Sequence, residues 1–238
     1  MQTQDIDYAA DGVTMRGYLA FEAGAGGRPG VLVFHEGPGL GDFAMGKTRQ
    51  LAALGYVALA ADMFGERRQA KNLQEVATMV GGLRADPERL RARGQAALST
   101  LAGLQQVDAS RLAAIGFCFG GSVALELARA GADLKAVVSF HGVLATKLPA
   151  EAGRVRASVL VLTGAEDPLA PPDQVAAFEA EMRAAEVADW QVVSYGNTLH
   201  GFTNPAADGS MMRTALYHAR SDRRSWTAMR AFLDETLA

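Results

Sequence analysis

Five short apolar runs alternate with helical patterns along this chain, and the alternation limits the folds that it can adopt. The runs are VLVFHE (31–36), GYVALAADM (55–63), RLAAIGFC (111–118), LKAVVSFHG (134–142) and ASVLVLTGAED (157–167). Each is apolar at consecutive positions, which is typical of strands covered on both faces of a sheet. We therefore predict an α/β fold with a mostly parallel central sheet, right-handed crossovers and helices on both faces.

The remaining patterns complete this prediction. Residues 3–22 alternate apolar and polar positions on both sides of Ala10-Asp11-Gly12, which predicts an N-terminal hairpin, and DWQVVSYG (189–196) is a weaker strand candidate. Helices are predicted within 47–55, 75–104 with an interruption near Asp86-Pro87, 122–131, 171–186 and 223–237. No repeat, low-complexity tract or linker divides the 238 residues, so we expect one domain over 1–238.

The charge balance excludes some classes of partner. The formal net charge is -3, and the sequence lacks the concentrated basic patch that binding to nucleic acid or to an anionic membrane requires. The first residues do not resemble a signal peptide, and no apolar stretch reaches about 18 residues. We expect a cytoplasmic protein that acts on a small molecule, as a monomer or a small homo-oligomer.

Chemically active side chains follow several of the predicted strands. Ligands bind beyond the carboxyl ends of parallel strands, where loops meet helix N-termini. The residues that end these runs are Glu36, Asp62, Cys118, His141 and Asp167, and His200 follows the last strand. His141 fits a buried, hydrogen-bonded residue better than a catalytic one.

Cys118, the single cysteine, lies in Gly116-Phe117-Cys118-Phe119-Gly120. This is a G-x-nucleophile-x-G pattern between a strand and a helix, where small neighbours allow the two elements to approach. The turn places the sulfur at a helix N-terminus, which favours the thiolate. A buried inert thiol is the alternative for a cysteine considered alone.

The order nucleophile, acid, histidine is that of the α/β-hydrolase triad, and Cys118, Asp167 and His200 follow it. In this arrangement His200 takes the sulfur proton and returns it to the leaving group, while Asp167 orients the imidazole. The backbone amides of Phe119 and Gly37 are the expected oxyanion donors.

Five ordered motifs resemble those of the dienelactone hydrolase (carboxymethylenebutenolidase) family: VLVFHEGPGL, GYVALAADMFG, IGFCFGG, LTGAEDP and HGF. The resemblance spans nearly the whole chain. It implies an α/β-hydrolase fold, a triad of Cys118, Asp167 and His200, and a role for Glu36 in managing the proton of the thiol. It also implies cleavage of a carboxylic ester, such as a lactone or enol-lactone, through a thioester and without a cofactor or metal.

The substrate contacts depart from the family pattern. Dienelactone-cleaving members have an arginine shortly after the histidine, where this chain has Asn204. Arg67 and Arg68 are candidates for contact with an anionic substrate, with solvated surface charges as the alternative. Four aromatic residues are candidates for the pocket mouth, with the core as the alternative: Phe64, Phe117, Phe119 and Phe202.

Other motifs give competing interpretations. GDFAMGKT (41–48) matches a phosphate loop, and Asp62 would then serve a magnesium-dependent nucleotide hydrolase. Against this, HEGPGL separates the motif from its strand. His35-Glu36 lacks the second histidine of a zinc helix, since position 39 is Gly39. A non-catalytic scaffold with a hydrolase fold is a third class.

Overall fold

The computed structural model describes residues 1–24 and 26–238; Ala25, in the glycine-rich stretch AGAGGRPG (23–30) that connects two of the predicted strands, lies outside them. The described part alternates strands and helices after an N-terminal hairpin. Its strands are β1 (Gln2–Ala10), β2 (Val13–Phe21), β3 (Arg28–Phe34), β4 (Val57–Ala61), β5 (Val107–Phe117), β6 (Ala136–Phe140), β7 (Ser158–Gly164) and β8 (Trp190–Tyr195). Its helices are α1 (Asp42–Ala53), α2 (Leu73–Ala85), α3 (Pro87–Ala102), α4 (Phe119–Arg129), α5 (Pro172–Ala184) and α6 (Ala219–Thr236).

In this described part all eight strands form one sheet, in the order β1-β2-β4-β3-β5-β6-β7-β8. Strands β3 to β8 are parallel to one another, whereas β1 pairs antiparallel with β2, and β2 with β4. The hairpin turns at Asp11 (φ 58°) and Gly12 (φ 71°), a pair of left-handed residues that suits the twist of two paired strands. The predicted mixed sheet and hairpin are confirmed.

Helices cover both faces of the sheet and bury its consecutive apolar positions. On one face, side chains of α1 and α6 such as Leu51, Met229 and Leu233 pack against alternate residues of the strands. On the other face, α3, α4 and α5 contribute Leu98, Leu127 and Phe178 to a second cluster. The inner strands β4, β6 and β7 are therefore enclosed on both sides, which explains why their sequences lack polar alternation, whereas the edge strand β8 keeps exposed polar positions.

Some element boundaries differ from the sequence predictions. Helix α1 begins at Asp42, five residues before the predicted start at Lys47, and Lys47 and Thr48 are buried in its second turn. The break at Asp86-Pro87 is confirmed, since the Asp86 side chain caps α3 by accepting from the amide of Arg89. Within residues 1–24 and 26–238, no helix is long and apolar enough to cross a lipid bilayer.

The close approach of α4 to β3 brings the ends of several strands together. A Cβ on Gly120 would overlap the carbonyl of Phe34 and lie 2.7 Å from the carbonyl oxygen of His35. Only a residue without a Cβ permits this backbone contact. The helix that follows Cys118 is thereby held against the strand that leads to Glu36.

The Gly120 contact generates a stability prediction. Gly120→Ala should lower the free energy of unfolding by about 3 kcal/mol, because the added methyl meets backbone rather than a movable side chain. Gly81→Ala in α2 is the matched control: nothing lies within 4 Å of its Cβ, and the change should stabilise the helix by about 0.5–1 kcal/mol. Urea unfolding of both variants measures the difference, and equal effects would contradict the packing argument.

Candidate active site

Cys118 lies on the sharp turn between β5 and α4. Its backbone adopts φ 53° and ψ -114°, a strained conformation for a residue with a side chain, and it occupies the N-cap position of α4. Its amide donates to the carbonyl of Phe140 at 2.9 Å, which fixes the turn on β6. A Cβ on Gly116 would overlap the carbonyl of Gly120, so the turn needs both glycines. The half-buried thiol projects from this turn at the end of the sheet.

His200 and Asp167 form a buried pair beside Cys118. His200 Nδ1 lies 2.8 Å from Asp167 Oδ2, and both residues are 2% exposed. Asp167 also accepts from the amide of Leu169 at 2.8 Å, which holds the carboxylate in place. The loop of His200 is anchored because His200 donates its amide to Thr214 and accepts from Leu216.

The electrostatics favour a protonated His200. Burial lowers the pKa of His200. The negative charge of Cys118 and the hydrogen bond to Asp167 outweigh this effect and raise the pKa to about 10. The Nε2 atom is buried and has no hydrogen-bond partner within residues 1–24 and 26–238. An imidazolium that lines the same pocket as a thiol is suited to exchange a proton with it.

Glu36 lies in the pocket wall after β3, and Asn204 is its partner. Asn204 Nδ2 donates to Glu36 Oε2 at 2.7 Å. Burial raises the pKa of Glu36 to about 7, although the Asn204 hydrogen bond and the charges of His200 and Lys47 lower it in part. The carboxyl group therefore changes its protonation state close to neutral pH.

Two backbone amides at the pocket are free donors. Gly37 and Phe119 both line the pocket, and Phe119 is the first residue of α4. Neither amide donates a hydrogen bond to any residue that the structure describes. Unpaired amides at a helix N-terminus and in the facing loop can stabilise a developing oxyanion.

The pocket has a volume of about 400 Å³ and mostly apolar walls. The face of α2 that carries Val76, Ala77 and Val80 forms part of the wall, and the segment 206–212 forms another part. Leu73 and Met211 stand at the mouth, 48% and 47% exposed. The α2 wall could not be predicted from the sequence, because an apolar helical face carries the same pattern whether it covers a core or a cavity.

Arg84, at the end of α2, is the arginine that reaches the pocket. Its Nη2 donates to Ser122 Oγ at 3.0 Å, and burial lowers its pKa although Cys118 raises it in part. The two arginines expected from the sequence lie elsewhere. Arg67 pairs with Asp5, and Arg68 donates to the carbonyl of Phe64.

Of the four aromatic residues that were candidates for the pocket mouth, one lines the pocket and three do not. Phe119 lines the pocket, whereas Phe64, Phe117 and Phe202 are at most 3% exposed and lie outside the lining. Phe64 stacks on Phe119, Phe117 stacks on Phe140, and Phe202 packs against His141. Phe64, Phe117 and Phe202 therefore belong to the core, which corrects the expectation that they line the pocket mouth.

The residues of the apparent phosphate loop have structural contacts. Lys47 Nζ lies 4.7 Å from the ring centre of Trp226 and 3.5 Å from Asp222 Oδ1. Thr48 Oγ1 donates to the carbonyl of Ala44 within α1, so the motif forms a helix rather than a loop. Asp62 accepts from the amides of four residues, which organises the segment after β4: Arg16, Phe64, Gly65 and Arg67. Among residues 1–24 and 26–238, no three His, Cys, Asp or Glu side chains cluster as metal ligands would.

Solved structures resemble this chain over its whole length. One described as "m3DLH" is 46% identical, with a TM-score of 0.95, and the match covers 100% of this chain and 99% of that one. A dienelactone hydrolase-like promiscuous phosphotriesterase from metagenomic libraries is 42% identical, with a TM-score of 0.94 and the same coverage. A carboxylesterase from a metagenomic library, 18% identical, with a TM-score of 0.68 over 100% of this chain and 90% of its own, shares the α/β-hydrolase fold alone.

The sequence comparisons agree with this result. A Salmonella typhimurium protein named "Putative carboxymethylenebutenolidase" is 28% identical over 221 residues, which cover 89% of this chain and 79% of the relative. The model of the dienelactone hydrolase family matches residues 15–237. With its α/β-hydrolase fold and this match, the chain belongs to the dienelactone hydrolase family.

Proposed function

We propose that this dienelactone hydrolase-like hydrolase cleaves a carboxylic ester, such as a lactone or enol-lactone, through a thioester on Cys118. The observation that carries the proposal is that His200 lines the same pocket as Cys118, with its Nδ1 bonded to Asp167 and its Nε2 unpaired among the described residues. A nucleophile and a base in one cavity, with a buried carboxylate bonded to the base, are the parts that acyl transfer needs.

In the proposed reaction the Cys118 thiolate attacks the carbonyl carbon, with His200 holding the proton. The amides of Gly37 and Phe119 donate to the oxyanion of the tetrahedral intermediate. As the carbon–oxygen bond breaks, His200 gives its proton to the leaving alkoxide. Water then attacks the thioester, His200 takes a proton from it, and the acid leaves as the thiolate reforms.

A neutral phosphotriester is a second candidate substrate. The 42% identical relative is described as a promiscuous phosphotriesterase, and its match covers this entire chain. A phosphotriester carries no charge, which suits a pocket whose walls are mostly apolar. The same thiolate would attack phosphorus in place of carbon.

A substrate panel tests the proposed nucleophile and base. An activated aryl ester, a simple lactone, a dienelactone and an aryl phosphotriester should be assayed with wild type, Cys118→Ala and His200→Ala. We expect each substitution to lower kcat for the preferred substrate by about 10⁴-fold or more, since members of such a triad act as a unit.

His218→Ala is the matched control for this panel, because His218 caps α6 and lies outside the pocket lining. It should retain wild-type turnover. Equal rates in wild type and Cys118→Ala would remove the thiol from the mechanism. Turnover of ATP with magnesium, or no turnover at all by a folded wild type, would favour the nucleotide hydrolase or the scaffold instead.

The proposed role of Glu36 in managing the proton of the thiol requires that it titrates near neutral pH. Its carboxyl ionises near pH 4.5 when unperturbed but near 7 in the folded protein, so the folded state binds more protons between these values. Wild type should therefore lose up to about 3 kcal/mol of stability relative to Glu36→Gln as pH rises from 4.5 to 7. Urea unfolding across this range measures the difference, and a constant difference would contradict the raised pKa.

Arg84 is the proposed contact for an anionic part of the substrate. Arg84→Met should raise KM by about 10-fold for an ester that carries a carboxylate, because a charged hydrogen bond is lost. A neutral ester of similar size should be affected little. Arg67→Met is the matched control, since Arg67 pairs with Asp5 outside the pocket lining. A similar rise in KM for the two variants would contradict the assignment.

A further inference from the structure

His141 is a buried histidine in an unfavourable backbone conformation next to the candidate site. It follows β6, is 0% exposed and has φ 40°, in the left-handed region. A residue with a side chain persists in such a conformation when its surroundings determine it strongly. The contacts of its two ring nitrogens are part of these surroundings.

The two nitrogens of His141 join two different parts of the site. Nδ1 accepts a hydrogen bond from the amide of Cys118 at 3.1 Å. The same amide also donates to the carbonyl of Phe140. On the far side of the ring, Nε2 lies 2.8 Å from Thr203 Oγ1. Thr203 is 1% exposed and follows His200 by three residues, so the ring spans from the nucleophile turn to the His200 loop.

These contacts fix the protonation state of the imidazole. Because an N–H group faces Nδ1, this nitrogen must be the acceptor, and the single proton lies on Nε2 and is donated to Thr203. A second proton would set two donors against each other at Cys118. Burial lowers the pKa of His141, and the charges of His200 and Lys47 lower it further, so the ring stays neutral.

The ring also packs against the residues that it would align. His141 and His200 meet edge to face with ring centres 5.2 Å apart, and Phe202 contacts His141 in the same way at 5.1 Å. The hydrogen bond between His200 and Asp167 ties His200 to the end of β7. The contacts of His141 tie the His200 loop to the Cys118 turn itself.

We propose that His141 is a positioning residue that fixes the separation between Cys118 and His200 through its bridge from the Cys118 amide to Thr203. The inference rests on the proposed cysteine-dependent hydrolysis and adds a residue that acts on its geometry. His141 exchanges no proton in this role. It acts because a small displacement of a nucleophile from its base is costly in rate.

The first test is His141→Phe, which keeps an aromatic ring and removes both nitrogens. We expect kcat to fall by about 10- to 100-fold while KM changes little, because the bond-forming geometry is lost and the pocket walls are retained. The rate of Cys118 alkylation by iodoacetamide at pH 7 should fall as well, because a displaced His200 stabilises the thiolate less. A purely structural role would lower Tm and leave both rates of the folded protein unchanged.

Partial variants separate the two ends of the bridge. Thr203→Val removes the hydroxyl and keeps the shape, and His141→Asn retains an acceptor for the Cys118 amide while losing contact with Thr203. Each should lower kcat and alkylation by less than His141→Phe. The double variant His141→Phe/Thr203→Val should be no worse than His141→Phe alone, since the two residues share one interaction.

Thr48→Val is the matched control for a buried hydroxyl, because Thr48 is 0% exposed and bonds within α1. It should leave kcat and alkylation unchanged. Wild-type kcat and alkylation in folded His141→Phe would overturn the proposal, as would additive effects of the His141 and Thr203 substitutions. If His141→Phe does not fold, unchanged rates in both Thr203→Val and His141→Asn would overturn it.

The alkylation assay also distinguishes failure of this inference from failure of the proposed function. It reports the state of Cys118 without any turnover. Full activity of Cys118→Ala would refute the proposed function, whereas the alkylation rates of the His141 and Thr203 variants would still decide whether the bridge aligns His200 with the thiol.

Discussion

The contact between the backbones of Gly116 and Gly120, across the turn at Cys118, determines the position of the thiol and of the elements beside it. A methyl group on either glycine would overlap a carbonyl oxygen, so the turn closes only with both. This closure points the thiol out of the sheet and brings the first amide of α4 beside it. Since Gly120 also touches Phe34, the end of β3 and the residues after it, Glu36 and Gly37, join the same cavity.

Around this turn, burial makes the charges interdependent. The pKa of His200 rises to about 10 because the Cys118 thiolate and Asp167 outweigh the cost of burial. Without two negative groups nearby, a histidine that is 2% exposed would favour its neutral form. Glu36 shows the opposite balance, since burial outweighs the Asn204 hydrogen bond and holds its pKa near 7. A single cavity therefore holds a histidine whose pKa is raised and a carboxyl group that is near its midpoint at neutral pH.

The sequence was sufficient for the architecture, and three residues that it singles out, Cys118, Asp167 and His200, come together in the structure. Buried strands are apolar at consecutive positions, and the spacing of Gly116, Cys118 and Gly120 has few other structural uses. The assignment of residues 1–238 to one domain stays a prediction, as do the catalytic roles. Long-range contacts could not be predicted from the sequence. Arg67 pairs with Asp5, 62 positions away, and nothing in the local pattern indicates that pairing.

The pocket walls were harder to predict for a related reason. Periodicity shows that a helix has an apolar face, but it does not say whether that face covers a core or a cavity, and this ambiguity concealed Arg84 on α2. Similarly, an aromatic residue at a strand end can face either way, and Phe117 turns into the core. The bridge made by His141 depends on which nitrogen carries the proton, which only the three-dimensional arrangement of donors determines.

The separation of the pocket walls from the reacting groups has an evolutionary consequence. Cys118 and Asp167 are held by the ends of buried strands, where most substitutions disrupt packing, whereas Val76 and Met212 belong to a helix and a segment at the surface. Mutations in the walls can accumulate at low cost in stability, because surface positions tolerate change. Selection can thus alter which molecules are accepted in one lineage after another, while the inherited chemistry stays the same.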